Sequence, residues 1–161
     1  MREGEALLPA ERKVHERLGH LTLDFGAMAV VSNLFRVSTA IRRQMEAAVL
    51  AADRLSWTSF VVLWVLWVWG EMEPRELADA VGISAPTTTG VLMTLERRGL
   101  VQRHPHASDG RRIRVSLTRS GRRKIEKLFP SINAEESAVT AHLSPEDQET
   151  LASLLRSLLR Q

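Results

Sequence analysis

The sequence predicts a mainly α-helical protein with one small β-hairpin, and three observations predict it. Apolar residues recur at spacings of three and four through most of the chain, capping residues and glycine stops punctuate those runs, and only the stretch after Leu100 changes to a period of two. The 161 residues, 44% apolar and 25% charged, suit one globular domain, or one domain with an oligomerisation element. There is no Cys, which excludes disulfide frameworks, thiolate zinc sites, catalytic thiols and thiol redox sensing. No secretory signal pattern opens the chain. The longest apolar run, Phe60 to Trp69, has ten residues against the roughly 18 needed to span a bilayer. The expectation is a cytoplasmic protein with no membrane partner.

The elements follow in order. Pro9 to Leu23 places Val14, Leu18 and Leu21 on one stripe of a short amphipathic helix. Ala27 to Arg54 reads as one long helix of about seven turns, with Leu34, Val37, Ile41, Met45 and Ala48 at helical spacing. Ser56 is placed to cap a helix from Trp57 to Trp69 that Gly70 stops; it is apolar almost all round, so neighbours should enclose it on several sides. Pro74 opens a short helix ended by Gly82, and Ser84 caps the next, which runs to Arg98 with Gly99 as its stop. LVQRH and IRVSL read as two strands joined by a Ser-Asp-Gly turn. Thr118 caps a helix that Pro130 interrupts or kinks, and the last helix opens at Ser144 with Leu151, Leu154, Leu155 and Leu158 on one face.

Charge singles out one segment. Arg97 to Lys127 holds eleven Arg or Lys against two acids, whereas Glu71 to Glu96 has a net charge of −4 and the whole chain only +3. Such a concentration suits a polyanion-binding surface, although charge alone equally describes a solvated face. The order of elements decides between them: from Pro74 to Leu117 run a short helix, a tight turn at Gly82, a second helix and a basic hairpin, a winged helix-turn-helix. The start of the second helix offers backbone N–H groups and a positive dipole to phosphate. The residues there, Ser84, Pro86, Thr87, Thr88 and Thr89, allow close approach to DNA, or the threonines simply cap the helix. Arg97 and Arg98 contact the DNA backbone or offset the helix dipole, and His106 and Ser108 lie near the hairpin tip as further candidate contacts. Arg111 and Arg112 are placed to reach a minor groove.

The run Asp109-Gly110-Arg111-Arg112-Ile113-Arg114-Val115-Ser116-Leu117-Thr118, preceded by Leu95-Glu96-Arg97-Arg98-Gly99-Leu100-Val101, resembles the multiple-antibiotic-resistance regulator (MarR) family of bacterial transcription factors. The resemblance extends from about Ala27 to the C-terminus. It implies that Arg111 enters the minor groove, that Asp109 orients the wing through an ion pair, and that the long helix and the last two helices build a homodimer. It also implies an effector cleft, with Trp57, Phe60, Trp64 and Trp67 as its candidate wall and Arg36 and Arg43 as anion partners for a flat or carboxylated ligand. Core packing is the other reading of those aromatics. The segment before Gly26 looks like the extra helix of the family's urate-responsive branch, but it lacks a Trp and Trp57 to Trp69 lacks any charge, so urate is disfavoured.

The expected organisation is an extra N-terminal helix at 1–25, a dimerisation and connecting helix pair at 27–70, the winged helix-turn-helix at 71–118 and C-terminal dimerisation helices at 119–161. The expected function is a homodimeric, ligand-responsive DNA-binding regulator, a repressor rather than an activator, on a pseudo-palindromic double-stranded operator. A winged-helix protein-interaction module is the alternative. An enzyme is the weakest reading: the chain has no phosphate loop, nucleophile elbow or paired metal motif, and no Tyr. No cofactor or metal is expected.

Overall fold

The computed structural model describes residues 7–106 and 109–160, with the backbone alone at Gly110 and Arg111. The chain divides into two compact units, Met1–Arg42 and Arg43–Gln161.

In the first unit, α1 (Pro9–Leu18) stops five residues short of the expected end, at Gly19. Its start is held by Glu11, whose carboxylate accepts from the Leu8 backbone N–H (2.7 Å) and from Asn33 Nδ2 (2.8 Å). These two bonds, the backbone one first, hold the Glu11 carboxyl below the ordinary carboxylate range. His15 stacks on Phe25 at 4.3 Å, at the start of α2 (Phe25–Met45). Asp24 caps α2 by accepting from the Ala27 N–H (2.8 Å). The apolar stripe of α2 is not a core stripe in its first part, because Val30, Val31, Leu34, Phe35 and Val37 are exposed.

In the second unit, the long helix expected from Ala27 to Arg54 is not uniform. After Met45 the chain takes one π turn, Glu46–Leu50, and one 3-10 turn, Ala51–Asp53, before Arg54 turns left-handed at φ +49°. Ser56 caps α3 (Trp57–Trp69) by accepting from the Ser59 N–H (3.2 Å). Neighbours enclose α3 on several sides, as its composition suggested: α4, α5, α6 and β2 pack against it, Phe60, Val62, Leu63, Val65 and Leu66 are buried, Trp57, Trp64 and Trp67 are half-buried, and only its end, Val68 and Trp69, is exposed.

Next come α4 (Pro74–Val81), α5 (Ala85–Arg97), β1 (Val101–His106), β2 (Asp109–Leu117), α6 (Arg119–Thr140) and α7 (Pro145–Leu158). The strands pair antiparallel from Val101 with Leu117 to Pro105 with Ile113, and a bulge then sets His106 opposite Asp109. A third, single-residue pairing escaped the sequence: Met72 exchanges both backbone hydrogen bonds with Val115 (3.1 and 2.8 Å). Pro130 lies within α6 without ending it. Leu63, Leu66, Leu77, Leu92, Leu95, Val101, Val115, Ile125 and Ile132 form the core, whereas α7 buries nothing and leaves Leu151, Leu154 and Leu158 exposed.

One junction ties the hairpin to α6. Gly99 turns left-handed (φ +64°), and Thr118 Oγ1 donates to its carbonyl (2.6 Å) while accepting from the Gly121 N–H (3.0 Å). The Thr118 N–H donates to Leu100 O (3.1 Å). Gly121 passes so close that a Cβ there would stand 1.9 Å from Leu100 O. Backbone must shift to admit it. Gly121→Ala is therefore expected to cost about 1–3 kcal/mol of stability, seen as a lowered Tm in thermal unfolding; an unchanged Tm would show that this junction yields.

Candidate nucleic-acid interface

The helix-turn-helix forms because three local signals agree. Glu76 accepts from the Glu73 N–H (2.7 Å) at the start of α4, Pro74 fits the first turn, and Leu77 and Ala78 are buried beneath it. Gly82 then takes φ +72°, and its N–H closes the helix on Ala78 O (2.9 Å). Ser84 caps α5, accepting from the Thr87 N–H (3.3 Å) and sharing a hydrogen bond with the Thr87 hydroxyl (2.8 Å).

The three threonines part company. Thr88 is 1% exposed and its hydroxyl donates to Ser84 O (3.0 Å), so it belongs to the core with Leu92 and Leu95 and is withdrawn from the candidate contacts. Ser84, Pro86, Thr87 and Thr89 are exposed, and Gly90, Met93 and Arg97 are exposed on the same helix. Pro86, Gly90, Met93 and Arg97 recur at helical spacing, so the outward stripe runs the length of α5. Gly90 and Met93 were missed because neither carries a charge or hydroxyl; the spacing from Pro86 was the available signal.

Arg98 is also corrected. Its guanidinium donates to Asp53 O (2.6 Å) and Arg54 O (2.8 Å), which closes the 3-10 turn and engages the side chain although the residue is exposed. Lys124, within the basic stretch, pairs with Asp53 Oδ1 at 2.6 Å.

On the hairpin, alternate residues of β2 turn toward the acids at the start of α4. Arg112 forms an ion pair with Glu73, which draws it back from the reach into a groove expected of it. Arg114 donates to Glu71 O (2.8 Å) and pairs with Glu76 (3.5 Å), and His104 lies 3.2 Å from Glu71. Arg103 sits 3.7 Å from Glu96. His106 and Asp109 face each other across the two strands. Ser108 lies outside the described residues, and Arg111 is placed by its backbone in β2.

Of the aromatic residues expected to wall a ligand site, Trp57, Phe60 and Trp64 come together, whereas Trp67 is not among the lining residues. Trp57, Phe60, Val61 and Trp64 of α3, with Phe129 and Glu136 of α6, line a cavity of about 470 Å³. The Trp57 and Phe60 rings lie 5.4 Å apart, as do those of Trp67 and Phe129. Arg43 is not among the lining residues. Arg36 instead lines a recess of the first unit with Glu11, Val14 and His15.

The MarR family model matches residues 55–113, from the residue before Ser56 into β2. Over 137 residues, 85% of this chain and 80% of the other, the sequence is 36% identical to the uncharacterized HTH-type transcriptional regulator YwaE of Bacillus subtilis (strain 168). The chain belongs to the MarR family. It is 29% identical over 144 residues to the HTH-type transcriptional repressor YetL of the same organism, covering 88% of this chain and 86% of that one. The structure matches the S. aureus MepR–DNA complex with a TM-score of 0.71 at 26% identity, over 80% of this chain and 95% of that one. This MarR-family chain is a transcriptional regulator with a winged helix, not an enzyme.

The ion pair with Glu73 occupies Arg112; if Arg112 can leave it for phosphate, Glu73→Gln should tighten non-specific DNA binding several-fold at low salt. It should also steepen the salt dependence by up to about one unit of slope. Anisotropy titrations at two salt concentrations read both, and an unchanged slope would show that Arg112 never transfers to DNA.

Proposed function

We propose that this MarR-family regulator acts in the cytoplasm as a homodimeric repressor whose two α5 helices enter successive major grooves of a pseudo-palindromic operator. The observation that carries the reading is the outward stripe of α5 running from Pro86 through Gly90 and Met93 to Arg97, next to a hairpin rich in arginine. Small side chains let the helix backbone approach base edges, Thr87 and Thr89 keep exposed hydroxyls for bases or phosphates, and the helix N-terminus favours phosphate. Ser84 sets the N-terminus, Arg97 lies at the far end for the DNA backbone, and Arg111 of the wing is the residue assigned to the minor groove. Asp109 steadies that wing. Residues 71–118 are the DNA-reading part, and half-sites one helical turn apart, about 10–10.5 bp, suit such a dimer.

The homodimer is supported by two exposed apolar faces. Leu154 is 60% exposed on α7 and Phe35 is 70% exposed on α2, each with further exposed aliphatic neighbours. Monomeric proteins rarely leave such patches in water. Residues 27–70 and 119–161 would bury them between two copies. The aromatic cavity is where a small molecule would act to release the operator.

The first test is a mobility-shift titration on the DNA upstream of the chain's own coding sequence, at two salt concentrations and with competitor. A discrete, salt-sensitive complex that survives competitor is expected, and no binding at low salt would turn the reading to a protein-interaction module. Arg111→Ala should weaken that complex by about 1–3 kcal/mol; unchanged affinity in a folded variant would remove its assigned role. Leu151→Asp with Leu154→Asp should convert the dimer to a monomer in sedimentation velocity and abolish the discrete complex, and a persisting dimer would place the interface elsewhere.

A further inference from the structure

The cavity's charge is opposite to that expected of a carboxylate site. Its lining holds three aromatic side chains of α3, one of α6, Val61 and a single ionisable group, the carboxylate of Glu136. Arg43, the cation expected to neutralise an acid ligand, is absent from it. Among the described residues, Glu136 accepts one side-chain hydrogen bond, from Asn133 Nδ2 at 3.1 Å, and forms no ion pair. Its neighbour Glu135 is differently engaged, accepting from Gln44 Nε2 at 2.7 Å. An acid beside aromatic faces is unfavourable for an anion and favourable for a cation, which gains from both the carboxylate and the negative π-faces of the rings. The volume of about 470 Å³ lies in the range of a small-molecule site.

We infer that this cavity takes an organic cation carrying an aromatic group, with the cationic head at Glu136 and the ring against Trp57, Phe60, Trp64 and Phe129. The inference rests on the reading of the cavity as the effector site. It assigns that site a ligand class and makes Glu136 the residue that selects it.

The test uses a matched pair of probes, naphthylmethyl-trimethylammonium and naphthylacetate, titrated calorimetrically into the full chain and into Glu136→Gln and Trp64→Leu. Glu136 is exposed, so its variant should keep the parent's Tm, which thermal unfolding checks. The expected result is that the ammonium binds the parent at least tenfold more tightly than the carboxylate. It should lose at least tenfold on Glu136→Gln and also weaken on Trp64→Leu. Equal or tighter binding of naphthylacetate, or an ammonium affinity unchanged by Glu136→Gln, would overturn the ligand class while leaving an effector cavity. If neither probe binds, the ligand class and the cavity reading both fall. If the ammonium binds through Glu136 but leaves the operator complex intact in the mobility shift, the ligand class stands and the effector reading falls.

Discussion

The wing depends on a close backbone contact that one side chain, Thr118, ties together. Gly121 lies against the carbonyl of Leu100, and Thr118 bridges the two by donating to Gly99 O and accepting from Gly121 N–H. That one contact brings together the end of α5, the start of β1, the end of β2 and the start of α6. Leu100 and Val101 on one side and Val115 and Ile125 on the other are then buried together. The hairpin therefore leaves the body of the domain at a fixed place relative to the recognition helix. Precision in reading DNA comes from sites built on such rigid supports.

Much of this was legible because it is written locally. The caps Ser56, Ser84, Thr118 and Ser144 each accept the backbone hydrogen bond their position predicts. Gly70, Gly82 and Gly99 stop their helices with positive φ. What escaped was non-local. The pairing of Met72 with Val115 joins residues 43 apart, and no turn signal announces it. The burial of Thr88 depends on which face of α5 meets α4, and a hydroxyl-bearing residue there looked like a contact because composition says nothing of facing. Arg98 was read with the basic run, yet the π and 3-10 turns after Met45 expose carbonyls that it closes. At the cavity, the aromatics of α3 followed from their spacing, whereas Phe129 and Glu136 come from a helix more than sixty residues on.

The opposed charges of the chain acquire a structural meaning. The acidic stretch from Glu71 and the basic wing were read as separate facts, but Glu71, Glu73 and Glu76 are the partners of His104, Arg112 and Arg114. Exposed pairs of this kind contribute little to stability, about 0–1 kcal/mol each. Their effect is orientation: they hold two arginines and a histidine of the hairpin against α4 before any polyanion arrives. Net charge therefore overstates how much of the wing stands ready for phosphate.

The four tryptophans all lie on α3, and the chain has no Tyr. Near-ultraviolet absorption and emission thus arise overwhelmingly from one helix of thirteen residues. Trp57 and Trp64 border the cavity, and Trp64 also meets Trp69 edge-on with ring centres 5.4 Å apart. Excitation can pass between those two indoles, so whatever quenches one dims the pair. The molecule carries its own optical gauge at the wall of the cavity, and the winged helix contributes no tryptophan to blur it.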